Sequence, residues 1–119
     1  SPPGITVAVA KDRAIESYMQ VGEGFVVNIL REDNYQKMFR HFLKRFAPGA
    51  DRFADVDVIN NVANGGPVLS DSLAFLDCKV SSRLETPDHW IIYGIVENGS
   101  VSDLSCKTAV HHRKVANHY

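Results

Sequence analysis

Lys11, Asp12 and Arg13 are the residues best suited by type and place to do chemistry. They sit where the apolar, β-branched run Ile5 to Ala10 ends and a helical stripe of Ile15, Tyr18 and Met19 begins. A helix start offers free backbone N–H groups and the positive end of a dipole. Two cations beside it make a phosphate clamp. Asp12 is placed to cap that helix. The same three residues also read as a solvated charged turn, which helix starts often carry. Asn28 stands alone in the apolar run Phe25 to Leu30, so its amide needs either a backbone partner or a ligand. His89 follows Asp88 and reads as a core or turn histidine bonded to that carboxylate. His111, His112 and His118 invite a metal reading, but adjacent residues on a strand point to opposite faces and share a ligand poorly. Gly22 and Gly24 are too close, and too near a strand, for a dinucleotide fingerprint.

The elements that must position these residues can be read in order. Pro2 and Pro3 hold the entry extended before the first strand. A helix follows the Lys-Asp-Arg turn, and Gly22-Glu23-Gly24 breaks it before a second strand, Phe25 to Leu30. Asn34 to Phe46 carries Tyr35, Met38, Phe39, Phe42, Leu43 and Phe46 at helical spacing, with a basic opposite face, and stops at Ala47-Pro48-Gly49. Asn60 to Pro67 reads as a surface connection. From Leu73 the period becomes two, with Ala74, Leu76, Cys78, Val80, Ser82 and Leu84 inward and Asp77, Lys79, Ser81 and Arg83 outward. A turn at Glu85–Asp88 returns the chain as a strand from His89 to Glu97, and Asn98-Gly99 signals a second tight turn. Short strands around Val101 and at Thr108–His112 would complete the sheet. This order predicts one α+β or barrel domain over residues 1–119, mainly β with α, and not a doubly wound parallel sheet.

The totals agree with one soluble domain. The 119 residues are 45% hydrophobic and 23% charged with a formal net charge of −1, so no strong field draws nucleic acid or an acidic membrane. No apolar run is long enough for a membrane span, and no signal peptide is evident. Cys78 and Cys106 form no CxxC and read as reduced thiols of a cytoplasmic protein, Cys78 as a buried structural one. A start at Ser1-Pro2-Pro3 rather than Met predicts a piece of a longer protein.

Several of these stretches together resemble the flavin reductase-like family, the FMN-binding split barrels. They are Pro2-Pro3 before a strand, Lys11-Asp12-Arg13, Phe25-Val26-Val27-Asn28-Ile29-Leu30 before a helix, Asp88-His89 opening a strand that ends Gly94-Ile95-Val96, and the His111-His112-Arg113 to Tyr119 tail. Ala8 to Ala14, His41 to Phe53 and Ala109 to Tyr119 are similar to the C-terminal domain of cyanobacterial-type flavodiiron proteins. No single motif is specific; their order and spacing are. The sequence departs from the family in two places. Thr86-Pro87 stands where members usually have Gly before the Asp-His pair, and the upstream first strand and Ser-rich flavin-lining loop are missing from this chain.

The resemblance implies a six-stranded Greek-key split β-barrel that binds FMN, takes NAD(P)H as electron donor and forms a homodimer. Lys11, Asp12, Arg13 and Ala14 would hold the FMN phosphate and ribityl end. Asn28 would face the flavin or brace the loop that does. His89 would approach the ring or the nicotinamide, with His112 and Arg113 at the pocket rim or a dimer contact. In the long flavodiiron proteins this module follows a diiron domain and a flavodoxin-like domain, and the whole reduces oxygen. Hydride transfer from nicotinamide to flavin needs no protein acid, base or nucleophile, so the lack of a catalytic constellation fits an oxidoreductase. Two rival readings are an FMN-carrying relay without a productive nicotinamide site, and a structural dimerisation domain.

Overall fold

Four antiparallel strands in the order β1-β6-β5-β2 form the main sheet of the computed structural model, which describes residues 1–44, 46–47 and 49–110. The strands are β1 (Gly4–Ala10), β2 (Gly24–Ile29), β5 (Ala74–Glu85) and β6 (His89–Val101); β3 (Val58–Ile59) and β4 (Val68–Leu69) make a separate two-stranded ladder. A 3-10 helix, Ala14–Tyr18, follows β1, and an α-helix, α1 (Tyr35–Phe42), follows β2. The result is mainly β with little helix, as expected. Among the described residues no helix is long and apolar enough to cross a membrane.

The core lies on one face of the sheet. Val9, Met19, Phe25, Cys78, Val80 and Ile92 are buried together, with Val7, Val27, Leu76 and Trp90 packed against them. These are the β-branched and aromatic residues that suit a half-buried pleated surface. On the opposite face, Ile91 and Tyr93 of β6 lie beside Ala8 and Thr6 of β1 and Leu84 and Ser82 of β5. Leu84 is 65% exposed there.

The long β5–β6 hairpin departs from strict alternation. Its register shifts at Asp77/Cys78 and at Val80/Ser82, so that Glu97 in one strand and Ser81 in the other have no opposite residue. One extra residue turns every following side chain to the other face. Hence Leu84, expected inside, is exposed, while Asp77, which precedes the Ser81 bulge and keeps its expected face opposite Cys78, is buried because the Asn64–Gly65 segment covers it. Asn98-Gly99 is not a turn either: it continues β6 opposite Asp77 and Leu76. Gly99 is required by close approach, since a Cβ there would fall 2.8 Å from the Phe75 carbonyl oxygen.

The turn at Glu85–Asp88 forms as expected. The Thr86 N–H donates to the His89 carbonyl at 2.9 Å, and the Thr86 hydroxyl donates to the same carbonyl and accepts from the His89 N–H. Neither Pro87 nor Asp88 has positive φ, so this turn needs no glycine, and Thr86-Pro87 is accommodated.

Both helices are shorter than their patterns suggested. The first is a five-residue 3-10 helix capped at Arg13, with no side-chain cap bond, so Asp12 does not cap it. The second ends at Phe42, where the Leu43 N–H still bonds the Phe39 carbonyl but the Lys44 N–H tightens onto that of His41. His41 Nε2 lies 2.8 Å from the Arg52 carbonyl, which draws the following loop across the helix end. Of the expected final strand, Thr108 bridges Arg31, flanked by bonds between Lys107 and Glu32 and between Ala109 and Leu30. His111, His112, Arg113 and His118 lie outside the described residues.

Candidate functional site

β1 and β2 are the two edges of the sheet, yet they face each other across one cleft. Its walls are Val7 to Ala10 on one side and Phe25 to Val27 on the other, and its volume is about 550 Å³. The sheet is therefore curled into a half-barrel with an open gap. Ile15 of the short helix and Met19 just after it line the gap, and Arg13 and His89 line it too. Two further hollows share Ile15. One, about 190 Å³, runs past Asn28 to Gly65, Gly66 and Pro67; the other, about 440 Å³, lies between Ala14, Tyr18 and the Phe42–Phe53 pair. An apolar cleft of several hundred Å³ with a few polar groups at its edge is the usual form of a small-molecule site.

The sequence-predicted residues divide around this cleft. Arg13 and His89, distant in sequence, meet at it. Ala14 and Asn28 line the two adjoining hollows. Lys11 does not line the cleft: its Nζ pairs with Glu85 at 2.5 Å and lies 5.5 Å from the centre of the Trp90 ring. The guanidinium of Arg13, by contrast, is exposed and pairs with no acid among the described residues. Both ends of the Asn28 amide are engaged: Nδ2 donates to the Pro67 carbonyl at 3.2 Å and Oδ1 accepts from the Leu69 N–H at 2.9 Å.

His89 Nδ1 lies 3.0 Å from Asp88 Oδ1. That hydrogen bond, then the charge of the imidazolium, holds the Asp88 carboxyl below its ordinary range, with a smaller contribution from Lys11. Burial, helped by the Asp77 and Glu97 carboxylates, pushes the Cys78 thiol up, which suits an inert structural residue. Among the described residues no three His, Cys, Asp or Glu side chains are grouped to hold a metal.

Two residues escaped the sequence reading. Arg83, an outward residue by strand alternation, is largely buried: it stacks 4.1 Å from the Trp90 ring centre and reaches Glu16 of the short helix and Gln20 just beyond it. Asp77 faces away from the core as expected but is covered by the Asn64–Gly65 segment. No local signal reveals either.

A family model described as the flavin reductase like domain matches residues 1–118. The chain belongs to the flavin reductase-like family. It is 62% identical over its whole length to diflavin flavoprotein A 1 of Synechocystis, of which it covers 21%. This flavin reductase-like domain thus spans about a fifth of the length of the curated relatives it matches. Among solved structures it resembles the NADH:FAD oxidoreductase SgcE6 of Streptomyces globisporus, with a TM-score of 0.79 and 27% identity over 90% of this chain and 63% of that one. It also resembles flavin reductase HpaC, solved in complex with NADP+, with a TM-score of 0.67 and 25% identity over 84% and 60%. The half-barrel with its open gap is accordingly a flavin reductase-like split barrel.

Proposed function

We propose that this domain binds FMN in the cleft between β1 and β2, takes electrons from NAD(P)H, and passes them to flavodoxin-like and diiron domains of a parent chain that reduces oxygen. The observation that carries the reading is the cleft itself. It is large enough for a planar ring system, apolar along both strand walls, and edged by an exposed guanidinium with no acidic partner. The similarity to a diflavin flavoprotein and to an NADH:FAD oxidoreductase supports the same reading.

The bound flavin would supply the hydride-accepting and electron-relaying chemistry; the protein binds and orients it. Arg13 would hold the phosphate by charge-assisted hydrogen bonds. Ala14 lies on the same turn and leaves room for the ribityl end. Lys11 and Asp12 would shape that turn rather than grip the anion, Lys11 through Glu85 and Trp90. Asn28 would hold the Pro67–Leu69 segment against β2. His89, tethered by Asp88, would stand where the nicotinamide approaches, and His112 and Arg113 remain candidates for the rim. The apolar outer face around Ile91, Tyr93 and Leu84 would bury itself in a homodimer; Leu84→Glu should then lower the mass seen by light scattering.

The deciding experiment mixes the full parent protein with FMN and NADH or NADPH without oxygen and follows the flavin absorbance. Bleaching supports the reading. Flavin that binds and stays oxidised would leave an FMN relay without its own reductase activity, and no flavin uptake would leave a structural domain.

A further inference from the structure

Asp77 is 2% exposed, and no cation pairs with it among the described residues. Its charge is met instead by backbone: Oδ2 accepts the Asn64 N–H at 2.8 Å and Oδ1 accepts the Gly65 N–H at 2.9 Å. Removing a carboxylate from water is costly unless hydrogen bonds replace the hydration, and here two consecutive amides do so.

Those amides belong to a loop that also walls a cavity. Gly65, Gly66 and Pro67 line the hollow that joins the main cleft along Phe25, Val26 and Met19. At its far end the loop is held by Asn28 through Pro67 and Leu69. Asp77 sits opposite Val26 in the β2–β5 ladder, and Asn28 is two residues further along β2. The two side chains therefore share one face of the sheet and fix the loop at both ends. Between them the loop lies directly on β2: a Cβ at Gly65 would fall 2.6 Å from the Phe25 nitrogen. A segment rich in Asn and Gly has little apolar surface of its own to hold it, so the two polar braces decide its position.

We propose that Asp77 is a positioning residue, which with Asn28 fixes the Asn64–Pro67 loop as a preformed wall of the flavin cleft. The proposal rests on the reading that the cleft holds FMN. A wall ordered before the ligand arrives spares the binding step the cost of ordering it. A carboxylate suits this place because both of its oxygens accept. An amide would keep one acceptor and turn an NH2 group toward a second donor.

The test compares Asp77→Asn with Ile92→Val in the longest chain that carries this domain. Ile92 is fully buried in the core and lines none of the three cavities. Asp77→Asn should raise the FMN Kd about tenfold and blur the shoulders of the bound flavin spectrum, a difference of about 1.4 kcal/mol. Ile92→Val should lower the melting temperature and leave FMN affinity within about twofold. An Asp77→Asn protein that binds FMN within about twofold of the parent overturns the proposal, as does an equal loss in Ile92→Val. If the parent itself takes up no FMN, the flavin reading fails. Amide exchange on the unaltered, FMN-free protein then decides the wall alone. Protected Asn64 and Gly65 amides support a preformed wall, and free exchange at both overturns it.

Discussion

The guanidinium carbon of Arg83 lies 4.1 Å from the centre of the Trp90 ring, while the same side chain reaches Glu16 and Gln20. One residue of β5 thereby fastens the short helix, with Ile15 and the adjoining Met19, to the hairpin at the centre of the sheet. The Arg83 and Glu16 side chains are 11% and 22% exposed, so their pairing is shielded from water. Removing one partner of such a pair leaves the other charge stranded, which costs about 3–5 kcal/mol. Arg83→Ala should therefore lose stability of that order in urea. Arg83→Lys should recover only part of it, because an ammonium cannot lie flat on the indole and reach both acceptors. A loss below about 1 kcal/mol for Arg83→Ala would mean that the pair behaves as a surface contact.

Arg13 and Lys11 are two residues apart and should behave differently. Arg13 lines the cleft with no acidic partner, whereas Lys11 is committed to Glu85 and the Trp90 ring. A charge-assisted hydrogen bond contributes about 1.5–3 kcal/mol, so Arg13→Ala should weaken FMN by about ten- to a hundredfold and riboflavin, which lacks the phosphate, far less. Lys11→Ala should change both affinities little. Titration of each variant with both flavins checks this, and equal losses for FMN and riboflavin in Arg13→Ala would remove the phosphate role.

Much of the scaffold was legible because its signals are local. The β-branched runs at Ile5–Ala10 and Phe25–Leu30 and the Thr86–Asp88 turn each carry their own pattern, and each forms within a residue or two of where the sequence puts it. What was not legible depends on pairing. Nothing in the neighbourhood of Ser81 announces a bulge, yet it reverses which face Arg83 and Leu84 occupy, and nothing near Asp77 announces the loop that covers it. Gly99 read as a turn residue because Asn-Gly is a turn signal, and its actual constraint, the Phe75 carbonyl, comes from the partner strand. The site divides the same way. Arg13 was found from its place at a strand end, but its meeting with His89 follows from the curl of the sheet. The engagement of Lys11 by Glu85 follows from the hairpin.

The Asp88–His89 contact predicts a pH signature. The folded-state pKa of Asp88 is depressed by the His89 hydrogen bond, so the contact stabilises the protein above the unfolded carboxylate pKa, about 3.9, and that stability is lost as pH falls through the lower folded value. Asp88→Asn should thus melt at a slightly lower temperature than the parent at neutral pH, and the two curves should converge in acid. Both groups are open to solvent, so the gap will be small. Melting temperatures measured across the acid range test it, and a gap that widens toward low pH would contradict the assignment.

The two thiols should part company toward a soluble thiol reagent. Cys78 is 1% exposed in the core, and its pKa is raised by burial and by the nearby Asp77 and Glu97 carboxylates, so it is both inaccessible and protonated. Cys106 is half-buried near the bridge between Thr108 and Arg31 and is open to attack. Since the thiolate is the reactive form, the native domain should release one equivalent quickly and the second only on denaturation. Cys106→Ser should abolish the fast phase and leave the slow one. The slow phase should then follow unfolding, so Arg83→Ala, which loosens the helix seated over the core, should speed it. A fast phase that persists in Cys106→Ser would place Cys78 at the surface and contradict its burial in the core against Phe25, Val80 and Ile92.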